Sequence, residues 1–316
     1  MEVLIVYPEK ADVVTGNSCS AEQWGEVLLA LGHEVVIGGS CGHRQADLLI
    51  ALNAEKMQPE IDAFSRSHPG SKIVVILTGT DIYPALSDAS VGSIRAADCL
   101  VALQSKAIHQ IPDEFHHKLR IIVQSVIPSR PGSKGKVRGE TFNAAIVANL
   151  REVKDPFRAA AAVKLMPGES RILIRHAGFP LQPGTDELAR QETSENSRYE
   201  WIGGLNPAEA RELIAESDVL LVTSSNEGAG RVVGEAITDG TPVIATRVEG
   251  ITGLVGDDYG GLFPVGDTAA LAALLTRAES EQGFLDELSR NCREIAPIFE
   301  PIKEMDAWRE LIAGLS

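Results

Sequence analysis

A chain of 316 residues is longer than one ordinary domain core, so two domains are expected. With 44% hydrophobic and 23% charged residues, the composition is that of a water-soluble globular protein, and no apolar run reaches the roughly 18 residues that would cross a bilayer. No membrane partner is expected on that ground; a formal net charge of −15 argues against nucleic acid, and an anionic small molecule would need a local cationic pocket.

The first half alternates short apolar runs with helical patterns. Residues 3–7 read as a buried first strand, and the acidic N-terminus lacks the charged region of a signal peptide. A helix is predicted over 20–31, where Ala21, Trp24, Val27, Leu28 and Leu31 share one face and Gly32 ends the run. Strands are predicted at 34–37, 48–52 and 73–77, with a helix over 61–67. Segments 91–97, 99–103 and 120–123 continue the alternation, which implies a parallel sheet covered on both faces. The stretch 128–139, rich in Pro, Gly, Ser and basic residues, reads as a linker.

A second alternation follows. Strands are predicted at 142–148, 171–175, 199–201, 219–223, 242–245 and 261–263. Helices are predicted over 155–165, 185–195, 207–216, 234–239 and 268–279. Asp155-Pro156 reads as the N-cap and first residue of its helix. The tail, 287–295 and 300–313, is helix interrupted at Pro297 and Pro301, which suits a last helix packing back on the first domain. The domain expectation is 1–140 with 300–316, and 141–299. The fold class is α/β, with two Rossmann-like doubly wound domains facing across a cleft. The cysteines Cys19, Cys41, Cys99 and Cys292 are scattered with no C-x-x-C pair, which fits a reducing cytoplasm without a zinc site or disulfide framework.

The most pointed chemistry lies between Ser224 and Glu235. A Gly-rich strand-to-helix turn (Gly228, Ala229, Gly230, Arg231) is bracketed by Glu227 and Glu235, with seven residues between them. Amides at a helix N-terminus bind a diphosphate, glycines let the backbone approach it, and carboxylates accept hydrogen bonds from sugar and ribose hydroxyls. Lys154 and Arg151, after the strand at 142–148, are candidate cations for the leaving diphosphate. Trp201 and the adjacent glycines could flank a planar base. His176 is expected just past its strand, on the ligand side. In the first domain, Gly16 and Asn17 follow strand one, and Thr78, Gly79, Thr80 and Asp81 follow the strand at 73–77. These loops could hold an acceptor, with Asp81 orienting or deprotonating a nucleophile. No G-x-G-x-x-G, Walker A or D-x-D pattern occurs, so no dinucleotide, metal or other cofactor is expected.

The Glu227…Glu235 element, the Lys154 loop and the two-unit layout resemble GT-B glycosyltransferases of the large retaining family that uses nucleotide sugars. A narrower set resembles the selenosugar synthases of selenoneine biosynthesis (SenB-like proteins). It comprises Thr15-Gly16-Asn17, Leu77 to Tyr83, Ala102-Leu103-Gln104, Gln124-Ser125, Leu150 to Arg158 and Gly256 to Asp267. That resemblance implies a UDP-sugar donor (UDP-N-acetylglucosamine or UDP-glucose), a selenophosphate acceptor and handover with other enzymes of the pathway. It implies that Glu235 binds ribose, Glu227 the sugar and Lys154 the diphosphate. Where the broader family carries arginine this chain has Asn149, so Arg151 or Arg231 is left to supply that cation. Two other readings stand beside it: a GT-B glycosyltransferase with a hydroxyl acceptor, and a catalytically idle UDP-sugar-binding module.

Overall fold

The computed structural model describes residues 1–9, 15–42, 44–129 and 140–315. The basic residues of the expected linker (Arg130, Lys134, Lys136, Arg138) lie outside the described residues. The chain divides into two compact units, Met1–Ser125 with Phe299–Ser316, and Val126–Ile298.

The first unit contains β1 (Glu2–Val6), α1 (Gly16–Ala30), β2 (Glu34–Gly38), β3 (Leu48–Leu52), α2 (Gln58–Ser67), β4 (Lys72–Leu77), α3 (Asp88–Ala96), β5 (Cys99–Ala102) and β6 (Leu119–Ile121). Its strands form one parallel sheet in the order β2-β1-β3-β4-β5-β6. Strand period two splits the apolar runs between two buried faces. Leu4, Val6, Leu49 and Ala51 join one core cluster, while Val3, Ile5, Leu48 and Ile50 join the other.

The second unit contains β7 (Phe142–Val147), α4 (Arg158–Val163), β8 (Ile172–Ala177), α5 (Thr185–Glu195), β9 (Tyr199–Gly203), α6 (Pro207–Glu216), β10 (Val219–Val222), α7 (Arg231–Thr238), β11 (Val243–Thr246), α8 (Glu249–Val255), β12 (Leu262–Phe263), α9 (Thr268–Ser280) and α10 (Gln282–Ile295). Its parallel sheet has the order β12-β11-β10-β7-β8-β9. The order reverses between β7 and β10, so the loops after these strands flank the topological switch point, where open α/β sheets hold ligands. The last helix, α11 (Pro301–Leu315), belongs to the first unit. Trp308 packs against Trp24 with ring centroids 5.8 Å apart, and buried Glu304 accepts from Trp24 Nε1 at 2.7 Å, Gln23 Nε2 at 2.8 Å and Ser125 Oγ at 2.5 Å.

Several expected boundaries shift for identifiable reasons. Helix α1 starts at Gly16 rather than Ser20, because Thr15 and Ser18 form a reciprocal capping box. Gly16 and Asn17 therefore lie in its first turn, not in a loop. Asp155 does not cap the next helix. It adopts a left-handed conformation (φ 43°) after a short 3-10 turn, Glu152–Lys154, and pairs with Arg158 Nε at 2.7 Å. Helix α4 then begins at Arg158. Helix α7 starts at Arg231, before the expected Gly234, and α10 at Gln282, before Glu287. Helix α8 was absent from the sequence-based expectation. None of the described helices is long and apolar enough to cross a membrane.

Candidate functional site

The site in the second unit is sewn together by small hydroxyl residues at strand ends. Thr223 Oγ1, just past β10, donates to the carbonyls of Lys154 (2.9 Å) and Asp155 (3.0 Å). The Ser225 amide donates to the Val153 carbonyl at 2.9 Å. These bonds join the loop after β7 to the loop after β10. On that frame Lys154 Nζ donates to Glu227 Oε1 at 2.6 Å, and Ser224 Oγ donates to the same oxygen at 2.6 Å. The Ser224 carbonyl accepts from Thr246 Oγ1 at 2.6 Å, which fixes the turn to β11. The Glu227 and Lys154 side chains are 9% and 21% exposed.

The glycines of the turn serve geometry. Gly230, the N-cap residue of α7, has φ 57°, a left-handed conformation that favours glycine. No described side chain caps α7. Its N-terminal turn carries a partial positive charge beside Arg231, its first residue. Gly228 and Ala229 are half-buried in the same turn. Gly250, near the start of α8, lies so close to the Glu227 backbone that a Cβ there would stand 1.9 Å from the Glu227 carbonyl oxygen.

Glu235 lies one turn along α7 from Arg231 and accepts from Arg231 Nε at 3.0 Å. Burial raises its carboxyl above the usual range, opposed by the charges of Arg231 and Arg211 and by the Arg231 hydrogen bond. Arg211 itself is held by buried Asp239, through Nη2 at 2.7 Å, and Asp239 also accepts from the Ser129 amide at 2.8 Å. The turn thus pairs two carboxylates with two cations, Glu227 with Lys154 and Glu235 with Arg231. Arg151 is half-buried, and its Nε is buried without a hydrogen-bond partner among the described residues. Asn149, which stands where the resembled family carries arginine, uses its Oδ1 to accept from the Phe179 amide at 3.0 Å.

Other expected residues have structural tasks. His176 is not past its strand: β8 runs on to Ala177, and the ring is fully buried. The Ala148 carbonyl, which can only accept, takes the Nε2 proton at 2.9 Å. Nδ1 then accepts from the Tyr199 hydroxyl at 2.8 Å. Burial lowers this histidine to about 4, so the ring is neutral and has no nitrogen left for a ligand. Trp201 is likewise engaged, donating from Nε1 to the Gly178 carbonyl at 3.0 Å.

In the first unit, the Asp81 carboxylate is fully buried. It accepts from the amides of Ala54 (2.8 Å), Thr78 (3.0 Å) and Gly79 (2.7 Å). Burial raises this carboxyl, opposed by those amide bonds. The geometry makes Asp81 the staple of its loop rather than a base, because a sealed, saturated carboxylate cannot reach a substrate proton. Gly79 has φ 117° and is buried. Asn53, which the sequence did not single out, holds Thr78 and Thr80 through Nδ2 at 2.9 and 3.2 Å, and is itself left-handed at φ 80°. The Thr80 residue is exposed. The sequence alone gave no role to Ser224, the first residue of the stretch that ends at Glu235, and missed Thr223, Thr246 and Gly250. The signal for the first three was Ser and Thr clustered at strand ends, whereas Gly250 carried none. Among the described residues, no group of three or more His, Cys, Asp or Glu could hold a metal ion.

A family model described as Glycosyl transferases group 1 matches residues 133–297. The chain is 31% identical over 211 residues to a D-inositol 3-phosphate glycosyltransferase of Saccharomonospora viridis, covering 58% of this chain and 48% of that protein. It is 40% identical over 86 residues to the N-acetyl-alpha-D-glucosaminyl L-malate synthase of Bacillus anthracis, covering 27% and 22%. The chain spans about half the length, or less, of the curated relatives it matches. The crystal structure of Anabaena HepE in complex with UDP and glucose is similar in fold, with a TM-score of 0.77 at 16% identity, covering 99% of this chain and all of that one.

Proposed function

Since the chain belongs to the group 1 glycosyl transferases, we propose that its second unit binds a UDP-sugar and that the protein transfers the sugar with release of UDP. The observation that carries this reading is the Lys154–Glu227 contact at 2.6 Å, at the switch point of the sheet and beside the start of α7, which no described side chain caps. Helix amides and Lys154 would take the diphosphate, Glu235 the ribose hydroxyls and Glu227 the sugar hydroxyls. Arg231 or Arg151 would add a second cation. As the anomeric C–O bond breaks, the electron pair goes to the diphosphate oxygen, and this positive surround stabilises the developing charge. The UDP named with Anabaena HepE supports the choice of nucleotide.

For the acceptor we propose selenophosphate, on the strength of the motifs shared with selenosugar synthases. The anionic selenium would attack the anomeric carbon, UDP would leave, and water would then split the P–Se bond to give phosphate and a 1-selenosugar. Asp81, the residue expected to act on an acceptor proton, is sealed and fully engaged, as is His176, expected on the ligand side. A nucleophile that is already anionic needs no such help. Two relatives are named for anionic compounds that also bear hydroxyls, D-inositol 3-phosphate and L-malate. The test is incubation with UDP-glucose or UDP-N-acetylglucosamine and selenophosphate, followed by mass spectrometry for a C–Se product. UDP release with hydroxyl acceptors alone would overturn the selenium assignment. UDP binding without turnover of any acceptor would leave an idle binding module.

A further inference from the structure

Glu227 Oε1 carries two donors, the Lys154 ammonium and the Ser224 hydroxyl, each at 2.6 Å. The pair is mostly shielded from water, so screening weakens it little. A diphosphate arriving at this turn would compete with Glu227 for the ammonium, and two anions beside one cation in a shielded place repel each other. The carboxylate and the donor therefore exclude one another at Lys154.

Resting on the reading of this turn as the donor site, we propose that Glu227 is a placeholder anion. It holds Lys154 in the empty site, yields it to the donor diphosphate, and takes it back as UDP leaves. Released from Lys154, the carboxylate turns to the hydroxyls of the bound sugar. When the sugar has gone, those hydroxyl contacts no longer hold it, and its return to Lys154 helps expel UDP. Ser224 keeps the carboxylate within reach throughout, because its hydroxyl binds the same oxygen.

The consequence has an unusual sign. An ordinary binding residue weakens ligand affinity when removed. Here Glu227→Gln removes the competitor, so UDP should bind roughly fivefold tighter and dissociate more slowly, which is the size expected of one partly shielded ion pair. Turnover of UDP-glucose should nevertheless fall, because product release slows and sugar hydroxyls lose a charged acceptor. The experiment is calorimetry and stopped-flow dissociation with UDP, using uridine as the uncharged control, on the wild-type chain, Glu227→Gln and Lys154→Met. Tighter and slower-leaving UDP in Glu227→Gln, with no change for uridine, supports the proposal. Unchanged or weaker UDP binding in that variant overturns it, provided that the wild type binds UDP and Lys154→Met weakens it. If the wild type fails to bind UDP, or Lys154→Met binds it equally well, the donor-site reading itself is lost. Should Glu227→Gln not fold, Glu227→Asp carries the test. Its carboxylate is retracted by one methylene, and tighter UDP binding is again expected.

Discussion

Adding one methyl group at Gly250 should displace the candidate donor site without altering any charged side chain. The Cβ of Gly250→Ala would stand 1.9 Å from the Glu227 carbonyl oxygen, 2.5 Å from its carbon and 2.9 Å from the Gly228 oxygen. Real Cβ contacts essentially never fall below 3.0 Å, so the shortfall is 1.1 Å, and it is set by backbone rather than by a yielding side chain. Either α8 or the Glu227–Gly228 turn must move by about that distance. Overpacking of this kind costs about 1–3 kcal/mol. Helix propensity acts the other way, because alanine is better than glycine by up to about 1 kcal/mol in a helix interior and by less in the first turn, where Gly250 lies. Any loss therefore comes from the contact and not from the helix. Glu227 meets Lys154 at 2.6 Å, and a misplacement of about 1 Å in such a site can lower turnover on the order of a hundredfold. The assay compares thermal unfolding, UDP calorimetry and UDP release from UDP-glucose in the variant and the wild type. Full UDP affinity, full turnover and an unshifted Tm in Gly250→Ala would refute the reasoning.

Three other outcomes are expected. Glu235→Ala should weaken UDP binding by about 1–3 kcal/mol through lost hydrogen bonds to a charged acceptor, and unchanged affinity in calorimetry would remove its ribose role. His176 should make the fold acid-sensitive. Its value falls from 6.5 in the unfolded chain to about 4 in the fold, so the unfolded state binds the proton first and stability drops as pH falls through that window. The loss is about 2 kcal/mol at pH 5, and denaturant titrations of wild type and His176→Gln should show a flatter acid limb in the variant. Glu304→Ala should cost about 2–4 kcal/mol, because the Trp24 indole and the Ser125 hydroxyl would each lose the acceptor of their hydrogen bond, and Gln23 one of its acceptors. A Tm equal to that of the wild type would contradict this.

The strand–helix alternation was legible because each apolar run is short, continuous and followed by a helical period, as in β3, where all five residues are buried. Glu227 and Glu235 were legible as candidates because their spacing around a Gly-rich turn already limits what they can do, and Lys154 because it follows the end of a predicted strand. Helix starts were less so. The start of α1 depends on the Thr15–Ser18 capping box, and that of α7 on the left-handed Gly230, both local features outweighed in the sequence by apolar periodicity.

By itself, then, the sequence determined the order and type of most elements and the two carboxylates of the turn, since hydrophobic period and glycine placement act over a few neighbouring residues. Only the tertiary structure decided which charges meet. Lys154 reaches Glu227 across 73 positions of sequence, Gly250 sets the space behind Glu227, and parallel pairing carries His176 into the core. These are contacts between distant segments, and their partners are fixed by strand order and register, which no local pattern specifies.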